Sequence, residues 1–337
     1  MRPRRGLALA GLCLLLGATA AFDAAYARGK AKDRVRLSDL PGWVREVAER
    51  PLPRQGHDVT WLLEDTRVEP LAEGGVRITT RRAGRVEREP GREVLGSWAE
   101  FYGEDDEVVS QQTWNLLPDG TARAAKPGRD LFDRPAVDGF SVYNDARVSV
   151  IVVPGVRTGS IVAYESVVSR GFDTGAQPFY FGSLDEPTAS SRFTLRVPEG
   201  WGWEAVRQRM DGTGIELTEE ENGFTLAGGD LEAQPRAELR PSDRELLPVV
   251  WGRWWSPDGK RGFEGWDAVA RWYEELSAPV LDQAGETADI GARLKPTDPS
   301  ALRTSLTEAF AIAARQVRYV SVQIGIGGYR PVPPADV

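Results

Sequence analysis

Cysteine is almost absent from this chain: 337 residues contain one, Cys13. Histidine is as scarce, with His57 alone. A disulfide framework therefore has no material, and neither does a zinc site of the usual thiolate and imidazole ligands. No internal repeat is present, and no Gly-x-Ser-x-Gly elbow. Basic residues are in deficit, 42 Lys and Arg against 50 Asp and Glu, for a net charge of −8. Such a balance argues against nucleic acid and anionic membrane surfaces as partners.

The N-terminus is built differently from the rest. Arg2, Arg4 and Arg5 precede an apolar run from Gly6 to Ala21, and two small-x-small sites follow, Ala18-Thr19-Ala20 and Ala25-Tyr26-Ala27. That is the layout of a cleaved secretory signal over residues 1–27. The apolar run is short for a membrane span, which disfavours an uncleaved anchor. The expectation is an exported protein, periplasmic or extracellular. Cleavage removes Cys13, leaves no thiol, and makes the chain more acidic, since residues 1–27 hold three arginines and one aspartate.

Glycine (36) and proline (23) are spread along the sequence, which suits many short strands and turns. Residues 28–58 read as a lead-in: a mobile basic stretch, then a short helix near Pro41–Arg50 with Trp43 and Val47 on one side. From residue 59 to 250 the pattern is β. Val59–Glu64, Val76–Thr80, Val108–Leu117, Arg147–Val153, Ser160–Val168 and Arg192–Val197 read as strands. Pro118-Asp119-Gly120 is a turn, because proline presets φ and glycine accepts positive φ. Ile215–Leu217 and Phe224–Leu226 flank a hairpin tip at Glu219-Glu220-Glu221-Asn222-Gly223. No long helical period separates the strands, so an antiparallel sandwich or a strongly curved sheet is expected.

Residues 251–337 differ. Trp266, Val269, Trp272 or Tyr273, Leu276 and Val280 fall on one helical stripe, which Pro279 limits. Asp298-Pro299 is a helix start, a capping side chain followed by proline in the first turn. Leu302, Leu306, Ala309, Phe310, Ala313 and Val317 then trace one face. Near Arg318 the pattern turns into a strand with Val320, Val322 and Ile324 on one side.

Several segments resemble those of bacterial exported proteins in which a β-rich domain of unknown function precedes a transglutaminase-like domain of the papain-like cysteine superfamily. They are Tyr143-Asn144-Asp145-Ala146-Arg147, Val153-Pro154-Gly155-Val156, Gly159–Glu165, Leu195-Arg196-Val197-Pro198, the helix Trp266–Leu276, and Val317-Arg318-Tyr319-Val320 with Gly325–Pro331. The resemblance implies an all-β sandwich-like N-terminal domain plus a partial α+β, transglutaminase-like C-terminal domain. In that family a Gly-Asp-Cys-Lys-Asp type motif follows the proline-rich run, with a histidine and an aspartate further on. None of the three has a counterpart here, so no catalytic, cofactor or metal residue is assigned. A cysteine nucleophile needs its thiolate, a base and an orienting group. The reading is a non-catalytic N-terminal portion of a cysteine acyl-transfer or amide-hydrolysing protein, halting before the reactive centre at Asp336-Val337. Its β domain would bind or position a protein or peptide substrate. If the chain ends at Val337, the apolar face of Leu302–Val317 is expected to be partly bare.

Other candidates weigh less. His57 reads as a surface residue rather than a base. Glu104-Asp105-Asp106-Glu107 lacks the spacing of a calcium loop and reads as a solvated turn. Gly325–Gly328 has no following Gly-Lys-Ser/Thr and is rejected as a phosphate cradle. Trp201, Trp203, Trp251, Trp254 and Trp255 could form a platform for sugar or peptide, with core packing as the default. Two alternatives follow: a stand-alone binding module for envelope protein or polysaccharide, and a hydrolase using carboxylates and His57. Export itself is open to test. Mass spectrometry of the secreted chain is expected to find the first residue at Ala21 or Arg28, and an intact Met1 in the envelope fraction would exclude cleavage.

Overall fold

The computed structural model describes residues 34–50, 56–136, 143–144, 146–172, 174–233, 239–281, 291–292, 294, 298–316, 322–323 and 329. Two compact units result: Met1–Ala136 with Ala146–Glu264, and Val137–Asp145 with Gly265–Val337. The expected boundary at 250/251 therefore moves, because it would cut through a strand, Val249–Trp255, paired on both sides. No described helix is long and apolar enough to cross a membrane.

The first unit is β-rich. Its large sheet has nine strands in the order β1 (Arg34–Val35), β6 (Ala122–Ala124), β5 (Glu107–Leu116), β10 (Ile161–Arg170), β3 (Val76–Val86), β2 (Val59–Pro70), β12 (Thr188–Arg196), β15 (Gly223–Leu231) and β14 (Glu216–Glu220). All neighbours are antiparallel except β2 and β12, which run parallel, with Glu64 opposite Ser191 and Val68 opposite Leu195. A wholly antiparallel sheet was expected. The parallel pair escapes a sequence reading because its connection is a long excursion through other strands rather than a helix.

Alternation along the strands gives the sheet two different faces. On one, Val68, Phe193, Leu195, Phe224 and Leu226 pack with Val250 and Trp254 of a three-stranded sheet, β11 (Ala176–Tyr180), β16 (Val249–Trp255) and β13 (Gly202–Gln208). Further along the same face, Val162 and Tyr164 meet Trp98 and Ile151 of a second three-stranded sheet. That sheet comprises β4 (Ser97–Tyr102), β9 (Arg147–Val152) and β7 (Leu131–Pro135), with β9 central. One large layer therefore packs on two small ones side by side. The opposite face is covered only at one end. There Leu40, with Val44 and Val47 of helix α1 (Gly42–Ala48), closes over Leu63, Ala83 and Ala163. The lead-in is thus partly built into the fold: β1 pairs with β6 and α1 is part of the core. Its apolar residues sit among charged ones, which hid the burial.

Glycine is required where β11 begins. Gly175 has φ +72°, and an added Cβ would lie 2.5 Å from the Gly262 Cα and the Trp254 carbonyl oxygen.

Two further short helices, α2 (Gly91–Leu95) and α3 (Asp243–Leu246), lie in the first unit. The second unit contains a parallel pair, β8 (Tyr143–Asn144) with β17 (Val322–Gln323), and two helices, α4 (Trp266–Leu281) and α5 (Leu302–Gln316). Asp298 caps the 3-10 turn Pro299–Ala301 that runs directly into the second, its Oδ1 accepting from the Ser300 and Ala301 amides at 2.7 and 3.2 Å. Pro279 lies inside the last turn of α4 rather than ending it. Trp266 departs from expectation: it is 86% exposed, while Val280 is buried. At 100° per residue Trp266 and Tyr273 fall on the edge of the stripe centred on Val269, Trp272 and Leu276, so they reach solvent. The expected strand residues around 318–321 lie outside the described residues.

Gly175→Ala should destabilise the first unit by about 2–4 kcal/mol, since it combines an unfavourable φ with a backbone clash. Thermal melting with Gly200→Ala as a control reads this. Gly200 shares the positive φ, at +78°, but has open space at Cβ. Equal losses in both variants would remove the close-approach argument.

Candidate functional site

The parallel strands β2 and β12 carry polar groups on both faces. On the face packed against the small sheets, Glu64 is almost wholly buried. Its Oε1 accepts from Arg82 Nη2 at 2.8 Å, and its Oε2 has no hydrogen-bond partner among the described residues. Arg82 also lies over the Trp61 ring, 5.4 Å from its centroid. Burial pushes the Glu64 carboxyl above its ordinary 4.5, and the charge and hydrogen bond of Arg82 offset that only in part. The pair sits at the seam between the two small sheets, where Arg82 stays half-exposed.

The opposite face is open beyond α1. Four residues in register form a row of alternating charge across the sheet: Arg192, Asp65, Arg81 and Glu165. Asp65 accepts from Arg192 Nε at 2.9 Å and Nη2 at 2.7 Å, a two-point contact across the parallel seam. Glu165 accepts from Arg81 Nε at 2.6 Å. Two residues along each strand comes a neutral row, Thr225, Thr194 and Thr79, with Arg67 between the last two. Beyond it Arg196 pairs with Glu220, and Arg67 with Glu69. All of these groups except Glu165 and Glu220 line a cleft of 390 Å³. At the α1 end a second cavity of 170 Å³ is lined by Trp43, Glu46, Val47, Arg50, Leu63, Ser190 and Ala227, and shares Asp65, Arg81 and Arg192 with the first. A polar trough thus runs over the sheet into a recess beside the helix.

The residues singled out in the sequence do not converge on this site. His57 is half-buried and donates from Nδ1 to the Asp185 carbonyl at 3.3 Å, so it serves chain packing. Nearby, burial raises the Glu186 carboxyl, although it accepts from the Val59 amide. In the acidic turn, Asp106 Oδ2 takes the Gly103 amide and Arg170 Nη1 while Oδ1 takes the Gly171 amide. That aspartate is a clamp at the end of β10. Glu219 and Glu220 lie in β14, so the hairpin tip is only Glu221-Asn222. Among the described residues no group of three or more His, Cys, Asp or Glu could hold a metal. Cys13, Gly325–Gly328 and Asp336-Val337 lie outside the described residues.

The tryptophans divide. Trp254 is 1% exposed and belongs to the core, which ends its part in any platform. Trp203 and Trp201 pack against the same cluster. Trp251 points outward at 37% exposure, and Trp255 lies across Gly202 with Arg253 5.9 Å from its ring centroid. Alternation along β16 explains the split: 250, 252 and 254 face in, while 251, 253 and 255 face out. In the second unit the apolar face of α5 is bare. Leu302, Leu306 and Phe310 are 48%, 61% and 75% exposed and border a cleft of 490 Å³.

Residues 72–224 match DUF3857, a domain of unknown function. The match covers β3 to the start of β15, so it contains most of the large sheet but omits β2, α1 and both helices of the second unit. No curated protein matches the chain. A crystal structure from Parabacteroides distasonis, described as that of a candidate protease, is similar at TM-score 0.59 and 15% identity, over 81% of this chain and 53% of that one. This chain therefore spans about half the length of that structure, and the likeness concerns the fold. Leukotriene A4 hydrolase of Saccharomyces cerevisiae (TM-score 0.32, 9% identity, 70% of this chain and 40% of that one) overlaps too little to carry an argument. The M1 zinc metallopeptidase of Deinococcus radiodurans (0.26, 16%, 60% and 43%) does likewise.

The Glu64 carboxyl makes a pH prediction. A raised folded-state pKa contributes stability that is present below about pH 4.5 and lost as pH rises through the folded value. Urea unfolding from about pH 4.5 to 8 should therefore show the wild type losing stability relative to Glu64→Gln as pH rises. A wild type that gains on the variant over that range would mean the Arg82 contact outweighs burial.

Proposed function

We propose that the chain is the non-catalytic scaffold portion of an exported transglutaminase-like protein. The β-rich unit would bind or position a protein or peptide substrate. The complete protein would carry out cysteine-based acyl transfer or amide hydrolysis. The observation that carries the reading is α5. It begins at a well-made Asp298 cap and then leaves Leu302, Leu306 and Phe310 in solvent. A patch of this kind marks a surface awaiting a partner element. It agrees with the resemblance, in which the helix carrying the nucleophile follows the segment Val317–Pro331. The match of residues 72–224 and the fold shared with a candidate protease support the β-rich half of the reading. The stand-alone platform reading loses its central residue, because Trp254 is core.

The chemistry requires a thiolate that this sequence does not hold outside Cys13. In the proposal it comes from sequence that continues the coding frame past Val337. The extended protein should carry a Cys, His and Asp set and label stoichiometrically with iodoacetamide at one thiol. Phe310→Asp tests the covered face. In the present chain it should change stability by less than about 0.5 kcal/mol, as at other exposed sites. In the extended protein it should cost about 2–4 kcal/mol, the range for a charge forced into a packed face. A continuation without a cysteine, or equal effects in both proteins, would remove the proposal.

A further inference from the structure

The recess beside α1 contains a cation without a carboxylate. Arg50 contacts only the Leu62 carbonyl, at a long 3.5 Å, and no carboxylate pairs with it among the described residues. Glu46, one helical turn earlier on the same wall, is exposed and makes no ion pair with it. Arg192 and Arg81, also on the wall, are committed to Asp65 and Glu165. The floor is apolar: Val47, Leu63 and Ala227. A ligand that fits must therefore bring acceptor oxygens to Arg50 and an apolar group to the floor. At 170 Å³ the recess holds the end of a ligand rather than the whole of a typical one.

The trough leading into it has a period of its own. Its rows lie two residues apart along the strands, about 6.6–6.8 Å. An extended peptide lying along the strands places its own side chains on one side at that same spacing. Its residues would meet, in turn, the charged row of Arg192, Asp65 and Arg81, the threonine row, and the row of Arg196. The self-paired charges of those rows offer acceptors and donors of both signs, which suits a peptide backbone better than a polyanion.

We propose that the recess binds the free carboxylate end of a peptide, with its last side chain on the Val47, Leu63 and Ala227 floor and the preceding residues along the trough. Arg50 is the donor to the carboxylate, and the Trp43 ring forms part of the wall. The inference rests on the reading of the β-rich unit as a substrate-positioning scaffold, and it names the end of the substrate that is held.

Calorimetric titration of the full chain tests it, with an acetylated alanine and serine hexapeptide ending in leucine and the same peptide as its C-terminal amide. The acid should bind at least about tenfold more tightly than the amide, the effect of losing one charge-assisted contact. Arg50→Gln should bring the acid down to the level of the amide without changing the melting temperature, because Arg50 is exposed. Ala227→Trp, at an exposed strand position, should abolish binding of both by filling the recess. Equal binding of acid and amide would overturn the proposal, as would a preference for the acid that survives Arg50→Gln, or no binding of either at millimolar peptide. The readout involves no catalysis. An inactive extended protein would count against the enzyme reading alone, and absent peptide binding against the recess alone.

Discussion

The first unit depends on one strand pairing. β2 and β12 join two antiparallel runs, β1-β6-β5-β10-β3-β2 on one side and β12-β15-β14 on the other, into a single nine-stranded sheet. Without that parallel contact each run would present an edge, and unpaired backbone groups at an edge cost free energy or recruit other chains. The pairing is reinforced from several directions. The Trp61 amide donates to the Pro187 carbonyl, the Glu186 carboxylate takes the Val59 amide, and Arg192 grips Asp65 at two points. These contacts all link residues far apart in sequence, so the seam can form only when the excursion between them has folded.

One small sheet arises within that excursion, and the other closes after it. β4, β7 and β9 arise before the chain returns to β12, and they cover the β3 and β10 part of the sheet. β16 closes between β11 and β13 and covers the β12 and β15 part. Where the two covers meet, Glu64 and Arg82 are left between apolar clusters. A second polar network lies under the first cover. Tyr164 and Ser166 each donate to Glu100 at 2.7 Å, and Ser149 donates to Gln111. Burial and the Glu100 charge push the Tyr164 hydroxyl well above the usual phenol range. Satisfied networks of this kind select one register between layers, which apolar packing alone leaves loosely specified.

On the open face the same seam has the reverse character. The large sheet is wider than α1 can cover, so its remaining surface is solvated by ladders of paired charges and threonines. Cross-strand pairs of opposite charge favour the observed register. Because every arginine of the ladder has a carboxylate partner, the surface is nearly neutral, although the chain as a whole is acidic. Arg50 at the helix end stands apart from the ladder, and it marks where the surface becomes a recess.

Local rules were enough for much of this architecture. Alternation in Val76–Thr80 and Arg192–Val197, the Pro118-Asp119-Gly120 turn, the Glu221-Asn222 hairpin and the Asp298 cap are short-range effects, written in adjacent residues. The apolar face of α5 was equally legible, since its 3.6-residue period needs no knowledge of partners. Two features were decided only by the tertiary structure. They are the parallel β2–β12 seam and the burial of α1. Each depends on which strand or helix lies alongside, a contact between residues distant in the chain. The cleft belongs with them. Arg50, Asp65, Arg81 and Arg192 are ordinary charged residues in sequence, and they become a site only because the sheet sets β2, β3 and β12 side by side beneath a helix from the lead-in.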